Sequence, residues 1–205
     1  MKKIYLLLIL LCLSLSARAH DAEVDGIFYN LDTANRTATV TYKGDSYGSY
    51  DNEYSGGVVI PETVTYNGIT YSVTSLASSC FSGCSSLTYI IIPNSVTTLG
   101  LGCFYGCSSL TSISIGNSVT SLSYDCFYYC SSLTSIYMLP STPPSTGYQI
   151  FNGTPLETVY VVDENAKTAY QARAPWNEYE IVVMPTGIEE VETDKTAPPL
   201  SATTT

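Results

Sequence analysis

The chain has 205 residues, with eight lysines and arginines against 18 aspartates and glutamates and a formal net charge of −10. That acidity argues against nucleic acid or an anionic membrane surface as partner. A single histidine, His20, leaves serine or cysteine hydrolase chemistry without a base in the body of the chain, and no phosphate-binding glycine loop follows a strand.

Lys2 and Lys3, an apolar run from Ile4 to Leu15 and the ending Ser16-Ala17-Arg18-Ala19 have the form of a cleavable signal peptide, residues 1–19, cut after Ala19. The run of 12 residues is shorter than the roughly 20 that span a bilayer, and no later run is longer. The mature chain is therefore expected to be soluble and exported, without membrane insertion. Cys12 leaves with the leader. So do Lys2, Lys3 and Arg18, which takes eight basic side chains down to five against 18 acidic ones, a charge of −13.

Residues 20–56 read as an N-terminal β-hairpin cap. Gly26 to Leu31 and Thr37 to Tyr42 alternate around the turn Asp32-Thr33-Ala34-Asn35-Arg36, and Gly44 to Gly57 is a polar loop. Asp32-Thr33-Ala34 also fits an acidic-Thr-small pattern for O-glycosylation at Thr33, although a plain turn accounts for it. A repeat domain is expected over 57–184. It opens with a degenerate copy, Gly57-Val58-Val59-Ile60-Pro61-Glu62-Thr63-Val64, into which a hairpin is inserted around Asn67-Gly68, the pair that a type I′ turn demands.

Full repeats start at Cys80, Cys103 and Cys126, a step of 23 residues held without a gap. Phe81/Phe104/Phe127, Cys84/Cys107/Cys130, Leu87/Leu110/Leu133, Ile90/Ile113/Ile136 and Ile92/Ile115/Met138 fall in register. The Ile-x-Ile alternation predicts a strand, and Phe followed by Cys three residues on predicts a helical or 3₁₀ turn. One such unit buries too little apolar surface to offset the ordering of its backbone, so copies must stack into a solenoid with capped ends. Phe151, Leu156, Val159 and Val161 echo the pattern in a degenerate last repeat. Asn165 to Arg173 then predicts a helix halted by Pro175, and Tyr179 to Val183 a closing strand. Residues 185–205 have the composition of a disordered tail.

The six mature cysteines form two columns. Metal is disfavoured, because every pair would lie on one solenoid face with no histidine near. Stacking brings equivalent Cα atoms within disulfide range, but their Cβ vectors run parallel, so buried free thiols are the preferred reading over disulfides. Residues 76–139 hold a single charged side chain, Asp125, so the repeats carry no acid/base pair. Glu178 with Glu180, or Asp163 with Glu164, reads as solvated cap carboxylates. No cofactor is expected and no enzyme activity.

With Ile90 and Ile92 inward, alternation turns Tyr89 and Ile91 outward, followed by Ser112 and Ser114, then Ser135 and Tyr137. Tyr105, Tyr124 and Tyr128 add aromatic surface. Tyrosine suits a protein-binding face, and these six outward strand residues are the candidate site.

The pattern Phe-x-x-Cys-x-x-Leu-x-x-Ile-x-Ile-Pro-x-x-Val-x-x-Leu over residues 57–162 resembles the BspA-like leucine-rich repeat family, as do Tyr66 to Leu76 and the run through Ala169-Tyr170 and Trp176. The resemblance implies an α/β leucine-rich-repeat solenoid of a bacterial surface or secreted protein, with adhesion to host or bacterial surface or extracellular matrix proteins. The position before each Phe is usually Ala in that family, whereas Cys80, Cys103 and Cys126 stand here. Pro185 to Val191 resembles the junction that in many members leads into a C-terminal secretion domain, which is not found in the residues that follow. Two rival functions remain: a structural subunit of a surface assembly, and carbohydrate or ice-type recognition by the columns Thr88/Thr111/Thr134 and Ser86/Ser109/Ser132.

Overall fold

A computed structural model describes residues 20–44 and 52–185. The proposed leader, part of the polar loop and nearly all of the proposed tail lie outside these residues. In chain order the strands are β1 (Ala22–Val24), β2 (Ile27–Asp32), β3 (Thr37–Thr41), β4 (Gly56–Val59), β5 (Thr63–Tyr66), β6 (Ile69–Leu76), β7 (Leu87–Ile91) and β8 (Thr98–Leu99). There follow β9 (Ser112–Ile115), β10 (Ser121–Leu122), β11 (Ser135–Met138), β12 (Ser145–Thr146) and β13 (Thr158–Val161). Helix α1 (Glu164–Gln171), a 3₁₀ turn (Trp176–Glu178) and β14 (Glu180–Val183) complete the order.

These strands form two sheets, a repeat fold that is largely parallel and has little helix. The six-stranded sheet runs β14-β13-β11-β9-β7-β4, with every neighbour parallel. The eight-stranded sheet runs β1-β2-β3-β6-β8-β10-β12, with β5 paired to β6. Ser112 lies opposite Ser135, and Thr98 opposite Ser121, so one step along the chain is one step along each sheet. The sequence suggests one strand and one helical or 3₁₀ turn per repeat. Each repeat instead supplies a strand to both sheets, the second only two residues long, while the Phe-to-Cys segment is a run of tight turns with bonds of the 3₁₀ type. Cys107 N donates to Phe104 O at 3.1 Å and Leu110 N to Cys107 O at 3.1 Å, bonds of the three-residue type that never extend into a helix.

The core is a column of rings along the solenoid axis. Phe81 and Phe104 stack at 5.2 Å, Phe104 and Phe127 at 5.5 Å, and Phe127 and Phe151 at 5.6 Å. At one end Tyr54 meets Phe81 at 4.5 Å and Phe28 at 5.7 Å; at the other, Trp176 meets Phe151 at 5.7 Å. Tyr54, in the segment read as a polar loop, is buried: its hydroxyl donates to Thr41 O at 2.6 Å and accepts from Phe28 N at 3.2 Å. That ties the N-terminal hairpin to the first full repeat. At the far end Asp163 caps α1 by accepting from Ala166 N at 2.7 Å, and Tyr170 donates to Pro140 O at 3.1 Å. Among the described residues no helix is long and apolar enough to cross a membrane.

Candidate functional site

The six-stranded sheet brings the six sequence-selected residues together on its outer face. Tyr89, Ser112 and Ser135 lie side by side in one column, and Ile91, Ser114 and Tyr137 in the next. All six are partly buried, while Ile90, Ile113 and Ile136 between them are fully inward, as period-two alternation requires. The columns continue beyond the full repeats to Thr158 and Tyr160 on β13. Tyr160, which the sequence reading passed over, stacks on Tyr137 at 4.7 Å and 10°. Burial, and then the neighbouring Tyr160, raises the Tyr137 phenol above its ordinary value. On the other flank the Tyr89 ring lies over Gly57, where a Cβ would collide with it. Asn52 accepts from Ser85 Oγ and Ser86 N, both at 2.9 Å, which pins the end of the preceding loop beside this face.

A second aromatic surface lies on the turns that join the two sheets. Backbone bonds stack these turns, with Gly102 N donating to Tyr124 O at 2.9 Å and Gly106 N to Tyr128 O at 2.8 Å. Tyr105 and Tyr128 therefore stack at 5.2 Å and 3°, and Tyr129 meets Tyr128 edge-on at 4.4 Å. From the sequence alone Tyr105, Tyr124 and Tyr128 stand only as added aromatic surface. The signal for Tyr129 was present in CFSGC, CFYGC and CFYYC, where it replaces a glycine. Gly83, Gly106 and Gly153 have φ of 73°, 70° and 72°, and Tyr129 sits among them at 55°.

The cysteine columns are wholly interior. Cys80 and Cys103 sulfurs lie 3.3 Å apart, while Cys107 Sγ donates to Phe81 O at 3.0 Å and Cys130 Sγ to Phe104 O at 3.1 Å. Burial pushes the Cys84 thiol up to about 11. Desolvation, and for Cys107 first the Cys130 thiol beside it, holds Cys103, Cys107 and Cys126 well above the ordinary thiol value. Such thiols are poor nucleophiles. His20 packs its ring on Phe28 at 4.9 Å, at the hairpin end of the molecule. Thr111, from the hydroxyl columns, directs its side chain to Thr88 O at 3.0 Å, a bond within the solenoid.

Residues 62–172 match a family model described as BspA type leucine rich repeat region, in six copies. A leucine-rich repeat protein from Bacteroides ovatus ATCC 8483 has a similar crystal structure, with TM-score 0.60 and 29% identity over 81% of this chain. The chain spans only 42% of that protein's length. A leucine-rich repeat protein from Bacteroides capillosus ATCC 29799 shares the fold, with TM-score 0.56 and 24% identity over 69% of this chain and 98% of its own. No curated protein matches the chain.

Proposed function

The chain belongs to the BspA-type leucine-rich repeat family, and on that premise we propose that it is an exported protein-binding module, active in adhesion, that uses the outer face of its six-stranded sheet. The observation that carries this reading is the pair of registered columns in which Tyr89, Ile91, Tyr137 and Tyr160 stand on parallel strands held by the repeat. Rings fixed on a rigid sheet lose little freedom when a partner covers them. The partners are host or bacterial surface proteins and extracellular matrix proteins, and the leader of residues 1–19 is removed on export. The N-terminal hairpin and the α1 to β14 segment act as caps that close the ends of the repeat core.

Immobilised mature chain, residues 20–205, probed with purified extracellular matrix proteins and with surface proteins of co-resident bacteria, is expected to retain at least one of them at micromolar concentration. Retention of none would overturn the reading.

A further inference from the structure

The turn edge carries an exposed aromatic surface separate from the sheet face. Leu101, Tyr105, Tyr124, Tyr129 and Tyr148 are 51%, 42%, 57%, 53% and 69% exposed, in a molecule whose other large apolar side chains are mostly inside. Three layers contribute, spanning about 10 Å along the solenoid at the usual strand spacing. Asp125 N donates to Tyr148 O at 3.3 Å and Tyr129 N to Asn152 O at 2.9 Å, so the last layer is in line with the others.

Tyr129 shows that the edge holds its rings at a cost. A tyrosine at φ 55° occupies left-handed backbone that glycine fills in the neighbouring layers, a conformation worth about 1–2 kcal/mol against an L side chain. Its ring rests on Gly153, where a Cβ would collide with it, and edge-on against Tyr128. The turn geometry sets that conformation in every layer, and here alone among the stacked turns it carries a ring, which adds to the exposed aromatic surface.

The chemistry selects the ligand. Between residues 101 and 152 the only charged side chain is Asp125, and the end of the ridge adds only Glu178, so an anionic partner finds no cation to pair with. The rings touch one another at 4.4 and 5.2 Å, so they form a platform and leave no cage for a cation between them. Among the described residues every exposed ring is a tyrosine, with a hydroxyl beside its flat apolar face. At the end of the ridge, Tyr148, Gln149, Asn152 and Glu178 line an open cleft, adding amide and carboxylate groups to the aromatic wall. Aromatic faces for C–H surfaces, with amide and carboxylate groups for hydroxyls, are the complement of a neutral sugar.

We propose that the tyrosine ridge running from Tyr105 to the cleft at Tyr148 is a binding site for a neutral oligosaccharide. It is independent of the sheet-face reading and lies on different strands and turns.

The test uses the mature chain labelled with ¹³C-tyrosine and observed by NMR during titration with cellohexaose, maltohexaose, xylohexaose and mannohexaose. At least one is expected to shift the rings of Tyr105, Tyr129 or Tyr148 at millimolar concentration. The double variant Tyr129→Gly/Tyr148→Ser, with thermal unfolding checked to be intact, is expected to weaken that binding at least about fivefold, and Tyr89→Ser/Tyr137→Ser to leave it unchanged. Shifts with none of the four sugars, shifts confined to Tyr89, Tyr137 and Tyr160, or equal affinity in the ridge variant would each overturn the proposal. Capture of a protein that depends on Tyr129 and Tyr148, in the absence of any sugar binding, would reassign the ridge to a protein partner.

Discussion

The ring of Tyr89 on β7 rests on the bare backbone of Gly57 on β4, the neighbouring strand. Only the far end of the ring meets the space a Cβ would take, so a side chain at 57 displaces the ring and leaves the sheet in place. Gly57→Ala is expected to shift Tm by no more than about 2 °C, as a surface change of about 0.5 kcal/mol does in a chain of this size. It should also raise the rate at which Tyr89 is nitrated. Unaltered nitration of Tyr89 would show that the ring does not rest there.

Phe104 and Tyr105 are consecutive residues with opposite fates. Phe104 is fully buried between Phe81 and Phe127, so Phe104→Ala opens a cavity in the ring column and is expected to cost about 3–5 kcal/mol. Tyr105 is 42% exposed, and Tyr105→Ser, which puts there the residue of the preceding layer, should cost no more than about 1.5 kcal/mol of lost stacking. Urea unfolding of the two variants measures both. Similar losses would contradict the inward and outward assignment.

Much of this was legible before the fold was known. The 23-residue step placed Phe81, Phe104 and Phe127 inside, and Asn67-Gly68 turns with φ of 50° and 76°, both positive as a type I′ turn needs. The second sheet was not legible, because strands such as Thr98–Leu99 are too short to show alternation. Nor was the burial of Tyr54, which sits in a polar stretch and enters the core where the rings of Phe28 and Phe81 and the backbone of Phe28 and Thr41 meet it. The tyrosine ridge needed the layer stacking as well as the composition, since Tyr105 and Tyr128 meet only across 23 residues of chain.

Cys84, Cys103, Cys107 and Cys126 have thiols raised above the ordinary value in the folded chain. The unfolded chain ionises first, so their contribution is intact below about pH 9 and is lost as pH rises through the folded values, which for Cys84 is about 11. Stability measured by urea unfolding under reducing conditions is expected to fall from pH 9 to 10 by up to about 1.4 kcal/mol per pH unit for each such thiol, with the buried phenols of Tyr29, Tyr54 and Tyr170, also raised in the fold, adding to the loss toward pH 10. A flat profile in that window would contradict the burial of neutral thiols. At pH 8 without reductant, a thiol reagent should find almost nothing in the native chain and six groups in the unfolded mature chain.

Tyr129 offers a separate check on the turn backbone. Tyr129→Ala keeps a side chain at φ 55° and loses the ring, whereas Tyr129→Gly loses the ring and relieves the backbone. The alanine variant is expected to be about 1 kcal/mol less stable than the glycine variant by thermal unfolding. The reverse order would place Tyr129 outside the left-handed region.

The most direct test of the protein-binding reading is a surface plasmon titration of a captured matrix or bacterial surface protein with the wild-type mature chain and with Tyr89→Ser/Tyr137→Ser. Ser112 and Ser135 already stand in the Tyr89 column, and Ser114 in the Tyr137 column, so the double variant should fold with Tm close to wild type. Its Kd is expected to rise at least about tenfold if each tyrosine anchors the partner; an unchanged Kd in the folded double variant would contradict the assignment of binding to this face.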